Sequence, residues 1–372
     1  MTDISSLRRS KVRARPVTAL VGTLLLCVLM WTLRDELNPD WFGYQRIYED
    51  GGSWLAAQGR DPLFLSLTSA VAWFLGPTSY EGFRIGLGAY FALFMYQLLA
   101  GHVIAFDTTR HHWPLLFLGI IPLAATRFTV QIREGLAATL VLIAMASLQR
   151  RPAAAALGPF MRRCLSFLLL GVAYAIHSAA GILLVAWLGA YAIEHVGQRS
   201  TAAELERLRG TSLVTLAFAC VVGYYFSSEG GGGSAVDAFY GWAAESELTV
   251  SLGKYLYWGA YGVGIWHVRA HLLSLYRSSE IERRLRVFLG VLGLALLPAV
   301  YATAVVLLLM SAPAITISSA ARMMNLLLSL LIAFFAIRGK LTRHVAIFAL
   351  FVLFDQARVI YESILNTFSE GA

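Results

Sequence analysis

Charge is what this sequence has least of. Asp, Glu, Lys and Arg make up 14% of its 372 residues, where a soluble globular domain carries about a quarter. Such a shortage excludes an ordinary soluble domain. With 58% hydrophobic residues and a mean hydropathy of +0.65, it predicts a polytopic membrane protein. Cysteine is scarce as well. Cys27, Cys164 and Cys220 each sit in or beside an apolar run, which excludes a disulfide or zinc framework. No phosphate-binding loop is present: the glycines of 230–233 follow no strand and precede no Lys-Ser/Thr pair. Metal-ligand spacing is missing too, since His111-His112 has only Asp107 near it. No metal or other cofactor is therefore expected. Neither a Ser-His-Asp motif, an internal repeat nor a separate soluble domain is found.

What the chain does have is a succession of apolar runs. They predict an all-α polytopic membrane protein with about eleven transmembrane helices, forming a single integral membrane domain over 1–372. The formal net charge is +8. In a soluble chain that would suggest nucleic acid; here it marks cytoplasmic loops, and no nucleic-acid partner is expected. With a basic cytoplasmic N-terminus at 1–16 and a first helix that is retained rather than cleaved, most of the 30 Lys and Arg fall inside. This topology requires that the apolar stretch from Pro62 to Gly76 does not span. It is read as a re-entrant or interfacial helix within a first outer loop over 35–82. A second outer loop, over 228–252, is glycine-rich and expected to be flexible.

Against that background, charges inside apolar runs call for explanation. A charged side chain at a helix centre costs about 3 kcal/mol even on a lenient scale. Arg84, Arg127, Arg133 and Arg322 all lie at or within predicted spans. Some snorkel to the interface in the simplest reading; the alternative is a cavity that needs fixed positive charge. Arginine holds phosphate bidentately and does not deprotonate. Glu134 neighbours Arg133, but adjacent residues on a helix do not face each other, so a local bridge does not account for the pair. His177 falls at the turn between two short helices on the outer side, either as a structural residue or as a base titrating near neutrality. The first outer loop mixes carboxylates, Asp40 and Asp61 among them, with Tyr44 and Tyr48. That composition suits a sugar ligand and equally an interfacial aromatic belt.

The order of these pieces resembles a known family. It runs Asp-Trp-x-x-Tyr-x-x-x-Tyr (Asp40 to Tyr48), Asp-Pro-Leu-Phe (Asp61 to Phe64), an Arg opening a helix (Arg84), Ile-Arg-Glu-Gly-Leu-Ala (Ile132 to Ala137), His177 and the late Arg322. This is similar to the EpsG/Wzy-type polysaccharide polymerases, which build O-antigen, capsule or exopolysaccharide. The chain departs from their pattern in having Asp61 in place of Glu and Glu134 in place of Gln. The resemblance implies a multi-pass enzyme of the bacterial inner membrane that joins undecaprenyl-diphosphate-linked repeat units on the periplasmic face. It implies no metal or nucleotide, and a possible chain-length regulator as partner. Arg84, Arg127, Arg133, Arg322, Tyr44 and Tyr48 would then bind substrate, with Arg127, Arg133 and Arg322 neutralising the diphosphate. His177, Asp40 or Asp61 would take the proton of the acceptor hydroxyl. Two rival readings share the arginine-lined cavity: a transferase using polyprenyl-phosphate sugars, and a transporter or flippase of lipid-linked glycan. The first needs only one phosphate clamp, and the second often shows paired broken halves that this sequence lacks.

Overall fold

In the computed structural model the described residues are 41–50, 61–76, 81–90, 92–93, 132–148, 158–196, 252–277, 283–309, 314–337, 342–352 and 354. Among them every element is helical, so the all-α class expected from the apolar runs is observed. The chain divides into two compact units, one built on Met1–Leu184 and the other on Val185–Leu331, each with short C-terminal pieces. Among the described residues two helices are long and apolar enough to cross a membrane, Ser178–His195 and Arg283–Leu309.

The first unit contains α1 (Trp41–Glu49), α2 (Pro62–Leu75), a helical stretch at 81–90, α3 (Ile132–Ser147) and α4 (Pro159–Ile176). A 3₁₀ turn, Ser178–Ala180, then leads into α5 (Gly181–Val196). Helix α3 is the central element. Its sequence is apolar nearly all round, and it is buried nearly all round, as expected of a helix enclosed by protein. It packs along α4, where Ser147 and Ser166 share a 2.6 Å hydroxyl contact and Ser166 also donates to the Ala144 carbonyl at 3.1 Å. Ala144, whose carbonyl takes the Ser166 bond, is a small buried residue at this contact and lets the two backbones approach.

Helix α2 has 14 residues, a rise of about 21 Å, short of a ~30 Å hydrocarbon core. Proline in its first turn suits a helix start, where the missing N–H would be unpaired anyway. Its far end carries Trp73 and Phe74, 85% and 79% exposed. Its inner face joins an aromatic core: Phe64 packs on Tyr44 and Tyr90 at centroid distances of 6.2 and 5.5 Å, and Tyr48 on Phe83 at 5.8 Å. Gly86 is required at this packing, because an added Cβ would lie 2.9 Å from the Tyr48 ring.

The second unit contains the rest of α5, α6 (Leu252–Arg277), α7 (Arg283–Gly290), α8 (Leu297–Leu309) and most of α9 (Ala314–Ile337). Between α7 and α8 the helix widens into a π turn, Val291–Leu296, where the Leu297 N–H reaches back to the Leu292 carbonyl. Pro298 explains the widening, since a proline ring in a regular helix collides with the carbonyl four residues before it. Gly293 faces Leu272 so closely that an added Cβ would meet its Cδ1 at 1.9 Å.

Candidate active site

The starts of α2 and α3 and the junction between α4 and the 3₁₀ turn bring four charged side chains of the first unit together. Asp61 precedes α2, Arg133 and Glu134 stand in the first turn of α3, and His177 lies in extended conformation between α4 and the 3₁₀ turn. Asp61 is the hub. Its carboxylate accepts a 2.5 Å hydrogen bond from the Arg133 guanidinium and a 2.7 Å bond from the Ser178 N–H. The imidazole Nδ1 of His177 stands 3.4 Å from the same carboxylate. On its other side, His177 Nε2 stands 3.3 Å from Glu134 Oε1. Asp61 is 2% exposed, and the side chains of Glu134 and His177 are 9% and 16% exposed. Arg133 is the most open of the four.

Asp61 is held in an unusual shape to do this. Its φ of 52° and ψ of 48° place it in the left-handed region, and its side chain makes no capping bond to its own helix. Asp is one of the few non-glycine residues that visit this region, and residues held there cluster at functional positions. Its carboxylate instead serves the N-terminus of the next turn through Ser178, where the helix dipole favours an anion. Glu134, in the first turn of α3, meets the same preference.

Electrostatically the cluster is self-consistent. Burial pushes the Asp61 carboxyl up, but the His177 hydrogen bond, the Arg133 and His177 charges and the Ser178 N–H outweigh it and hold the group below its ordinary value. Burial likewise disfavours a charged His177; its bonds to Asp61 and Glu134 outweigh that and hold the proton above the ordinary imidazole range. A ring with a carboxylate at each nitrogen donates from both when doubly protonated. The arrangement sets the His177 ring between two carboxylates, with the Arg133 cation on Asp61. The Arg133 guanidinium also stands 6.0 Å from the Tyr44 ring and 5.8 Å from the Phe64 ring, a cation–π clamp that fixes it from behind.

Of the residues singled out in the sequence, Asp61, Arg133 and His177 are thus brought together. Glu134, noted there only as the neighbour of Arg133, is the fourth member. Tyr44 and Tyr48 are enclosed in the aromatic core, 6% and 2% exposed, and the Tyr48 hydroxyl donates to the Gly76 carbonyl. They are placed to back Arg133 and anchor α2 rather than to present open faces to a sugar. Arg84 makes an ion pair with Glu81 one turn away at 3.6 Å. Asp40 and Arg127 lie outside the described residues; Arg322 belongs to α9, but its side chain is outside them. Both ring nitrogens of His177, expected from the sequence as a base, face carboxylates. Among the described residues no group of His, Cys, Asp and Glu could hold a metal ion. No protein-family model, curated protein or solved structure matches the chain.

Proposed function

We propose that the chain is a membrane glycosyltransferase of the polysaccharide-polymerase kind, acting on undecaprenyl-diphosphate-linked oligosaccharides. The observation that supports it best is the half-buried His177, set between Asp61 and Glu134 and linked to Arg133 through Asp61. Irregular backbone at membrane depth is tolerated where it lines a protein cavity, and ionisable groups placed there are functional by default.

In this reading the acceptor oxygen bonds to the anomeric carbon of the donor while the bond from that carbon to the diphosphate breaks. Arg133 and the imidazolium of His177 neutralise the departing diphosphate, the stabilisation of developing charge that preorganised cations provide. The acceptor proton goes to Glu134. Asp61 positions both cations and does not itself accept the proton, since three donors already occupy its carboxylate. The proposed setting is an inner-membrane protein of about eleven spans, with the cluster on the periplasmic side, α2 as a re-entrant or interfacial helix, and a possible chain-length regulator nearby.

Purified protein in lipid nanodiscs, given a single lipid-linked repeat unit, tests this. A ladder of lengthened glycans that requires Arg133 and Glu134 is the expected result. Intact substrate moved across vesicles without lengthening would overturn it in favour of a transporter.

A further inference from the structure

Arg269 carries a charge for which no described residue supplies a counter-ion. It lies about two turns before the end of α6 and is half-buried. Its Nε is shielded from solvent and takes part in no hydrogen bond. Helices α6 to α9 and the π turn contain no Asp or Glu. Glu194, the one carboxylate among the described residues of this unit, is taken by Arg284 at 3.0 Å. An unpaired charge on a largely apolar helix is costly, so the surroundings of Arg269 matter for what can neutralise it.

Those surroundings are apolar on one side and cationic on the other. Leu256, Gly259, Val263, Trp266 and Ala270 follow one another at intervals of three and four residues and form one outward face of α6. The three large side chains among them are each at least 60% exposed. A Cβ added at Gly259 meets nothing within 4 Å. The face is apolar throughout and about 15 Å long from Leu256 to Trp266. Arg269 follows Trp266 by three residues and so borders this face at one end. Helical Cα–Cβ bonds tilt toward the N-terminus, which leans Arg269 toward the tryptophan. At the same end α7 brings Arg283 and Arg286, the latter 5.5 Å from the Tyr276 ring of α6. A free phosphate would use the guanidinium and leave the apolar face bare. A phospholipid uses both: its phosphate meets the planar fork of the arginine, and an acyl chain lies along the face. Tryptophan is at home at the level where chain meets headgroup. The surplus of arginine favours a head with net negative charge over a zwitterionic one. We infer that Arg269 and the outward face of α6 seat one anionic bilayer phospholipid. The inference rests on the membrane setting of the proposed function and not on its chemistry.

Native mass spectrometry of the full-length protein in detergent tests it, by counting the lipid molecules retained. Phosphatidylglycerol should bind about fivefold more tightly than phosphatidylcholine, the effect of one arginine beside an anionic head. Arg269→Gln removes a charge with no described partner, so it should fold, with thermal unfolding as the check, and should bring the two lipids to equal affinity. Arg284→Gln, where the charge belongs to an ion pair, should leave the preference in place. A preference that persists in Arg269→Gln would overturn the inference, as would an equal loss in Arg284→Gln. Displacement of phosphatidylglycerol by an equal concentration of inorganic phosphate would also overturn it, by making Arg269 a plain anion site. A preference that depends on Arg269 in a protein that lengthens no glycan would uphold the lipid seat and remove the polymerase reading.

Discussion

Each unit of the molecule contains a partly buried Arg–carboxylate pair, and the two are built differently. In the second unit Arg284 donates to Glu194 at 3.0 Å, with side chains 21% and 18% exposed. Both residues sit within helices of ordinary geometry. In the first unit Arg133 is about as exposed, at 24%, but its partner Asp61 is at 2%. Asp61 also has a left-handed backbone, and its carboxylate serves His177 and a helix N-terminus besides. One pair tethers two helices; the other is the centre of a network assembled from chain breaks. The contrast shows that an ion pair in an apolar protein does not mark a site by itself. What distinguishes the first is the convergence of strain, helix ends and a second titratable group.

The largest expected effect separates the two pairs by turnover. Glu134→Gln should lower the rate of glycan lengthening by about 10²–10⁴-fold, the scale of a lost proton-transfer group, and His177→Ala by about 10²–10³-fold, the scale of a lost charge-stabilising donor, while Arg284→Ala should leave the rate unchanged. Equal losses in all three would dissolve the distinction. The second comparison is of stability. Asp61→Ala withdraws a partner from three donors at once, and breaking a buried pair costs about 3–5 kcal/mol. Chemical unfolding should show a loss of that order, and Asp61→Asn a smaller one, because the amide oxygen can still accept from Ser178.

The third concerns pH. His177 has its folded value raised above 6.5, so its contribution to stability is complete below that pH and is lost as pH rises through the raised value. Asp61 has its folded value lowered from 3.8, so its contribution is present above that pH and is lost as pH falls through the lowered value. The first unit should be most stable between those limits, and turnover should decline on the alkaline side as His177 loses its charge. Thermal unfolding and lengthening rates across pH should move together on that side, and His177→Gln should remove the alkaline fall in stability. A fall that persists in His177→Gln would assign it to another group. The smallest effect is expected at the plain pair: Glu194→Ala should cost at most about 1 kcal/mol by chemical unfolding. A larger cost would mean that the tether matters as much as the network.

The residue types of the site were legible in the sequence because charge is so scarce: Arg133, Asp61 and His177 stand out against apolar surroundings. Their mutual contacts were not, since 72 residues separate Arg133 from Asp61 and 116 separate His177 from Asp61. Glu134 shows why a sound local rule was insufficient. Neighbours on a helix diverge, so Glu134 and Arg133 do not bridge to each other; the same divergence sends one to His177 and the other to Asp61. Tyr44 and Tyr48 went the other way. Their spacing is readable, but whether an aromatic face meets a ligand or another ring depends on α2 and residues 81–90 packing over them. The break at His177 was visible from the chain, whereas the π turn at Val291–Leu296 carries only the faint signal of Pro298.

That π turn has a consequence for the phase of the helix beyond it. A widened turn accommodates one residue more than a regular one, and each residue of an α-helix advances its direction by about 100°. Val291–Leu296 therefore sets the azimuth at which every side chain of α8 emerges. Tyr301 depends on that angle: its hydroxyl reaches the Trp258 carbonyl at 2.8 Å and would lie 2.5 Å from a Cβ added at Gly262. Deleting one residue from the widened turn would keep the composition of α8 and its apolar character. It would also rotate Tyr301 by about 100° away from α6, turning a matched seam into a mismatched one with every residue of α8 still present.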